Sequence, residues 1–430
     1  MTRTIAQIAA ELQGYDPQAL SADAVGEFLA RLVTPVTEVE EVGLFEALGR
    51  VLARDIAAPF SVPPHDNSAM DGYAFDGAQL ASGQLLRLEA VGTALAGQAW
   101  RGTVGPGQCV KIMTGAIMPA GLDTVVPQEF TRTAGDGRIE IPAGLLQPGD
   151  NRRCKGEDLM EGRPALARGE RLGPAACGLL ASIGIARVPV ARRLRVAYFS
   201  TGDEILSLGE PPREGAVYDS NRYTVHGMLT RLGCEVIDMG VVRDEPALLE
   251  RAFLQAAARA DAIVTSGGVS VGEADFTKAM MQKLGDVAFW RIAMRPGRPM
   301  AVGRIAAGAQ AAHSAVLFGL PGNPVAVMVT FLAFVRPALL RMMGANAAPP
   351  VLLKARSAEA MRKKPGRTEY QRAIVTATPA GGLEVRTTGN QGSGVLSSMV
   401  RANGLVVLHH AQGNVAVGDE VDVLMFEGSL

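Results

Sequence analysis

The chain has 430 residues, with 42 basic and 43 acidic side chains and a formal charge of −1; that balance argues against a general nucleic-acid or membrane-surface binder, though not against a local basic pocket. Hydrophobic residues at 48% and charged residues at 20% suit a soluble protein with sizeable cores, and the length implies about three domains, with four allowed. Four dispersed cysteines (Cys109, Cys154, Cys177, Cys234) form no CxxC pair, which speaks against a disulfide framework or thiolate zinc site and for a reducing cytoplasm. The N-terminus lacks a long apolar core, and no uninterrupted apolar run of about 18 residues follows it, so no membrane segment is expected.

The first sixty residues read as helix. "SADAVGEFLARLV" opens on Ser21 as an N-cap and puts Val25, Phe28, Leu29 and Leu32 on one face. "EVGLFEALGRVLARDI" repeats the pattern. From Pro59 the texture changes to short β-like runs split by Gly and Pro, a small β-domain lasting to about Gly149. "ERLGPAACGLLASIGI" is a further helix with Pro174 in its first turn.

Beyond Arg192 the signal strengthens. "LRVAYFS", "CEVIDMGVV" and "DAIVTSGG" read as buried strands, separated by the helices "NRYTVHGMLTRLG" and "EPALLERAFLQAAARA". Near-continuous apolar strands alternating with helices indicate a doubly wound parallel sheet. The pattern continues through "DFTKAMMQKLG", "VAFWRIAM", "AVLFGLPGNP" and the helix "VAVMVTFLAFVRPALLRMMG". Pro349 and Pro350 look like a linker, and the remainder alternates as a separate small sheet or barrel.

In a doubly wound sheet, ligands bind beyond the carboxyl ends of the strands. Four loops answer that description: "STGDEI" (200–205), "RDEP" (243–246), "SGGVSVGEAD" (266–275) and "GLPGNP" (319–324). Any one of them reads more readily as an ordinary cap or turn, but four at one sheet edge reverse that balance and point to a crevice for a phosphorylated or otherwise anionic small molecule. Asn323 stands where an N-cap belongs, with Pro324 at N1, so free helix amides are expected to face that crevice.

The same loops carry acids: Asp203, Glu204, Asp244, Glu245, Glu273 and Asp275. Carboxylates repel phosphate unless a hard cation lies between them, and Mg²⁺ characteristically bridges the two. Amides with carboxylates therefore imply phosphate with a divalent metal. His65, His226, His313, His409 and His410 are scattered and take no role. "WRIAMRPGRPMAVG" adds Arg291, Arg295 and Arg298, and Arg372 lies inside a β run; arginine forks match tetrahedral oxyanions, although solvated arginines beside a turn would look the same. In "PPHDNSAMDGYAF", Asp66, Asn67, Ser68 and Asp71 form, as a bare pattern, a polar turn running into a strand.

Taken in order, "DNSAMDGYA", "IMTGA", "RRCKGED", "FSTGDE", "YDSNRY", "TSGGVSVGEADF", "RPGRPMAVG" and "GLPGNP" resemble the molybdopterin molybdenumtransferase family, itself similar to the C-terminal part of gephyrin. The match runs from about residue 22 to the end; nothing before Ser21 takes part. The resemblance implies a multidomain α/β plus β chain: a discontinuous helical and mixed linker domain (1–57 with 150–190), an inserted small β-domain (58–149), a molybdopterin-binding α/β domain (191–344) and a C-terminal β-barrel-like domain (345–430). It implies a cytoplasmic transferase that inserts molybdenum from molybdate into adenylylated molybdopterin, Mg²⁺-dependent, with release of AMP. It also implies a homodimer whose active site is shared between subunits, and a transient contact with molybdopterin adenylyltransferase.

On that pattern Asp71 and Thr114 would reach across the dimer to nucleotide and metal, while Glu204, Asp244 and Asp275 would line the crevice. These five are the expected catalytic residues, and the four acids among them are the expected metal ligands. Asp158, Thr201, Gly202, Ser220, Asn221, Ser266, Gly267, Gly268, Ser270, Pro321, Gly322, Asn323 and Pro324 would hold the substrate. Arg295, Arg298, Arg372 and Ser393 ("NQGSG") would bind or guide molybdate. The family often has lysines where this chain has Arg291, Arg295 and Arg298, which keeps charge but changes donor geometry. Tungstate has the same shape as molybdate and is not separated from it. Two alternatives stand beside this reading: the adenylyltransferase, which shares the "TSGG" and "GLPGNP" loops, and a gephyrin-like scaffold.

Overall fold

The computed structural model describes residues 3–80, 83–269, 276–308, 313–346 and 348–426. Its central element is a six-stranded sheet in the order Glu235–Val242, Arg195–Thr201, Ala262–Ser266, Ser314–Leu320, Pro299–Ala306, Gly285–Arg291. The first four strands are parallel; the fifth, Pro299–Ala306, runs antiparallel to them, and the sixth, Gly285–Arg291, is antiparallel to the fifth and so returns to their direction. Alternation along one strand divides the core: Val196 and Tyr198 join the cluster that includes Val225, Leu229 and Val327, while Ala197 and Phe199 join Phe253 and Ala256 on the opposite face. Helices Ser220–Leu232 and Pro246–Arg259 thus cover opposite faces, and the sheet is doubly wound as its pattern predicts.

The longest apolar helix runs from Pro324 to Met342, with 72% of its most apolar window buried inside the protein. It is a core helix. Its middle turn, Phe331–Val335, is π-helical and lies just before Pro337, whose missing N–H and bulky ring interrupt the ordinary ladder.

The C-terminal strands Leu353–Ser357, Thr368–Ala377, Leu383–Thr387, Gly404–Leu408 and Glu420–Met425 close into a five-stranded barrel, because Thr368–Ala377 pairs with both Leu383–Thr387 and Gly404–Leu408. The short strand Met294–Arg295 of the central domain pairs in parallel with Thr368 and Glu369. A second six-stranded sheet, between Gly72 and Ile141, is built around Gly72–Phe75, Gln108–Ile112 and Thr124–Pro127. The chain on either side of it pairs across the insertion: Val39–Gly43 with Arg187–Ala191, and Ile56–Ala57 with Pro164–Leu166.

Two expectations need correction. "EVGLFEALGRVLARDI" is not one helix: Val39–Gly43 is a strand, Leu44–Ala47 is a single turn, and Gly49 turns the chain at φ 76°. The i, i+3, i+4 spacing was real, but pairing with 187–191 satisfies its backbone instead. Second, the helices Ile5–Glu11 and Ala22–Leu32 pack on the central domain rather than with residues 150–190. Ile8, Val25, Phe28 and Leu32 share a core with Trp290, Ile292, Phe331 and Leu339. Trp290 Nε1 donates to Tyr15 Oη at 2.9 Å, the Ile5 amide donates to Asp286 Oδ2 at 2.7 Å, and Arg304 donates to the carbonyls of Arg3 and Leu32. Ser21 caps the second helix as predicted.

Phe28 is fully buried and meets the Trp290 ring edge-on at 4.8 Å. Replacing it with alanine leaves a cavity at this junction, so Phe28→Ala should lower unfolding free energy by about 3–5 kcal/mol in a denaturant titration. A loss below about 1 kcal/mol would mean that the N-terminal helices do not belong to this core.

Candidate functional site

The parallel strands end in a polar floor. Ser200 and Ser266 lie opposite one another in neighbouring strands, and their hydroxyls, 3.2 Å apart, both bond to Tyr198 Oη, at 2.8 and 2.7 Å respectively. All three side chains are buried. The chain then turns through Gly267 and Gly268 with φ of 92° and 65°. A Cβ on Gly267 would stand 2.4 Å from Thr201 O, and one on Gly268 would stand 2.5 Å from Thr277 Cβ, so both positions need glycine by conformation and by close approach. Thr201 is buried, with no hydrogen-bond partner for Oγ1.

From the other side, the "GLPGNP" turn is tied in twice. Asn221 Nδ2 donates to Gly322 O at 2.7 Å, and the Gly267 amide donates to Leu320 O at 3.1 Å. Asp219 caps the helix Ser220–Leu232 through the Arg222 amide, while its Oδ2 is buried and unpartnered. Thr201, Gly202, Ser266, Gly267, Gly268, Pro321 and Gly322 therefore stand at adjoining strand ends, and Asn221, in the first turn of the helix that Ser220 opens, is tied to them. Ser270 and Asp275, together with Glu273, lie outside the described residues.

The acids gather at the rim. The Asp244 amide donates to Asp203 Oδ1 at 3.3 Å, and Thr277 Oγ1 donates to Asp244 Oδ1 at 2.9 Å. Burial is the main cause that pushes the Asp244 carboxyl above the usual carboxylate range; the Thr277 hydroxyl opposes it, and the charges of Asp203 and Glu204 add to it. Three like charges thus crowd one edge. Among the described residues, no group of three His, Cys, Asp or Glu side chains is close enough to hold a metal by itself.

The helix start at Asn323 and Pro324 departs from expectation. Asn323 is the N-cap residue but makes no side-chain cap bond, and the Val325 amide donates to Ser393 O at 3.1 Å. The barrel loop that carries Ser393 has therefore taken one of the amides expected to be free. Arg372 holds that loop: its Nη2 donates to Asn390 O and Gly392 O at 3.2 and 2.9 Å, and its Nε donates to Ser398 Oγ at 3.0 Å. Arg372 is only 1% exposed, and burial, with Arg295 nearby, lowers it to about 10. Its geometry is that of a loop anchor more than of an open anion receptor. Arg295 and Arg298 are exposed.

The small β-domain holds a second group of expected residues. Thr114 donates to Asp71 Oδ1 with both its amide and its hydroxyl, each at 2.7 Å, and the hydroxyl foremost holds Asp71 below the usual carboxylate range. Ser68 ties the two motifs together by exchanging backbone bonds with Gly115 and Ala116. Asp158 is exposed, and its amide donates to Val62 O. Among the described residues, no hydrogen bond or ion pair joins Asp71, Thr114 or Asp158 to the Asp203–Glu204–Asp244 edge within one chain.

Sequence reasoning assigned no role to Thr277, Tyr198 or Asp219. Thr277 sits in an ordinary helical pattern that carries no signal. Tyr198 reads as one more apolar strand residue. Asp219 was detectable, standing just before a helix in "YDSNRY" where an N-cap belongs.

Three family models match the chain: "MoeA N-terminal region (domain I and II)" over residues 20–184, "Probable molybdopterin binding domain" over 197–341, and "MoeA C-terminal region (domain IV)" over 354–426. A molybdopterin molybdenumtransferase of Haemophilus influenzae is 41% identical over 404 residues, covering 94% of this chain and 97% of that protein. One of Bacillus subtilis is 34% identical and covers 90% of each. Among solved structures, a molybdopterin biosynthesis moeA protein of Pyrococcus horikoshii OT3 superposes with a TM-score of 0.79 at 26% identity, covering 95% of this chain and all of that one.

Because the folded pKa of Asp244 is raised from 3.8, its favourable contribution is complete below about pH 4 and is lost as pH rises through the folded value. At pH 7 the ionised group weakens the fold. In metal-free buffer, Asp244→Asn should therefore melt above wild type at pH 7, with the gap closing towards pH 4. Equal or lower melting of the variant at pH 7 would contradict the burial of this carboxyl and the charge gathered around it.

Proposed function

This chain belongs to the molybdopterin molybdenumtransferase family, transferases of molybdenum cofactor biosynthesis, and from that premise we propose that it inserts molybdenum from molybdate into adenylylated molybdopterin, with Mg²⁺ required and AMP released. The observation that carries the finer reading is the crowded edge at Asp244, whose carboxyl is pushed up by burial and by Asp203 and Glu204. A phosphate-binding crevice gains nothing from that repulsion by itself, and a hard cation turns it into attraction.

The donor set fits Mg²⁺. All the candidate ligands are carboxylate oxygens, which suits an ion that takes one or two carboxylates and completes its shell with water and substrate phosphate. Asp244 and Glu204 would hold it, with Asp275 and the partner subunit's copy of Asp71 as further ligands. Bound there, the ion would offset charge developing on the leaving phosphate.

The protein's own residues do the rest. The Gly267–Gly268 turn lets backbone approach the guest where any side chain would collide. Asn221 and the Gly322 carbonyl brace the opposite wall. Arg295 and Arg298 offer exposed guanidinium groups to a tetrahedral dianion, and Arg372 steadies the loop bearing Ser393 beside them. Thr114 keeps Asp71 ionised. With no bond from that pair to the crevice of its own chain, we place it against the crevice of a second subunit in a cytoplasmic homodimer, with the adenylyltransferase as a transient donor of substrate.

Purified protein given adenylylated molybdopterin, molybdate and Mg²⁺ should release AMP and yield active cofactor; no AMP above background overturns the reading. Asp71→Ala and Asp244→Ala should each abolish most turnover. When subunits of the two are exchanged in equal amounts, heterodimers with one intact site should restore about a quarter of wild-type rate. Exchange without rescue excludes a shared site.

A further inference from the structure

We propose that Tyr198 is a positioning residue for the phosphate-bearing substrate, acting through the two serines that its hydroxyl ties together. The proposal rests on the function proposed above and adds a residue outside the expected set. The phenol ring itself needs no special explanation: it packs in the apolar core with Val196, Val264 and Phe318, where phenylalanine would fill nearly the same volume. The hydroxyl is what needs a reason. It sits at the carboxyl ends of two parallel strands and bonds to Ser200 Oγ at 2.8 Å and Ser266 Oγ at 2.7 Å, while those two oxygens lie 3.2 Å apart.

Three hydroxyls in a closed ring can each donate once and accept once, so the buried set is satisfied without water or ligand. The ring ties Ser266, the last residue of its strand, to Ser200, the next-to-last residue of the neighbouring strand. From it, contact is continuous to the acidic edge. Gly267 follows Ser266 and lies directly on Thr201, Gly268 lies directly on Thr277, and the Thr277 hydroxyl holds Asp244. Loosening the ring lets the 266–268 turn shift relative to Thr201 and Asp244, which are the groups on either side of the expected guest. The arginines that face molybdate are anchored separately, Arg295 by pairing with the barrel strand. The ring should therefore affect one substrate and leave the other alone.

The protein carrying Tyr198→Phe is compared with wild type by titrating AMP in the presence of Mg²⁺ and by steady-state kinetics with each substrate varied. The Kd for AMP and the KM for adenylylated molybdopterin should rise about five- to tenfold, the loss expected for one well-placed buried hydrogen bond. The KM for molybdate should stay within about twofold. Ser200→Ala opens the same ring from a second side and should act in the same direction, with the double variant no worse than either single one. Unchanged AMP affinity in both variants, with only a lowered melting temperature, reduces Tyr198 to a structural staple and overturns the proposal. An equal rise in both KM values overturns it too. Wild-type protein that neither binds nor releases AMP overturns the functional reading itself, and this inference with it.

Discussion

Like charges held together at the open end of a parallel sheet are the constraint around which the site is arranged. Asp203, Glu204 and Asp244 come from two neighbouring strand ends, and burial of Asp244 makes their repulsion harder to screen. The edge is tied in from several sides: the hydroxyl ring under it, the threonine that grips Asp244 and the amide links to "GLPGNP". On the function proposed above, a cation between these carboxylates and a phosphate would turn that repulsion into affinity.

The C-terminal barrel is part of this arrangement. Its loop at 390–393 reaches the start of the core helix, where Ser393 O accepts the Val325 amide, and Arg372 anchors that loop from inside the barrel. A charged side chain with 1% exposure is tolerable because its donors are matched to carbonyls and a hydroxyl. The barrel thus does more than cap the molecule: it supplies one wall near the helix terminus and sets Arg295 beside its own strand.

Much of this was legible before any coordinates. The strands at 195–201, 262–266 and 314–320 are near-continuous apolar runs, and such runs followed by small polar loops mark a buried parallel sheet and its ligand edge. The reversed direction of Pro299–Ala306 was not legible, because an antiparallel strand inside a sheet carries the same apolar residues as a parallel one. The stretch at 39–47 misled because helical spacing and strand pairing can both be written into nine residues, and the choice was made by a partner about 150 residues away. The N-terminal helices were legible as helices but not as tenants of the central core, since an apolar face does not name what it packs against. Arg372 was legible as a β residue, whereas its burial depends on a loop return that no local pattern contains. Thr277 and the Tyr198 hydroxyl matter only through tertiary contact.

The most direct measurement of the central claim is calorimetric titration of AMP into metal-stripped protein, repeated after Mg²⁺ is restored. If an ion reconciles the acidic edge with a phosphorylated guest, removing it should weaken binding by at least about tenfold, and restoring it should recover the affinity fully. Binding of undiminished strength in the stripped protein would contradict the account, because the carboxylates would then face phosphate with nothing between them.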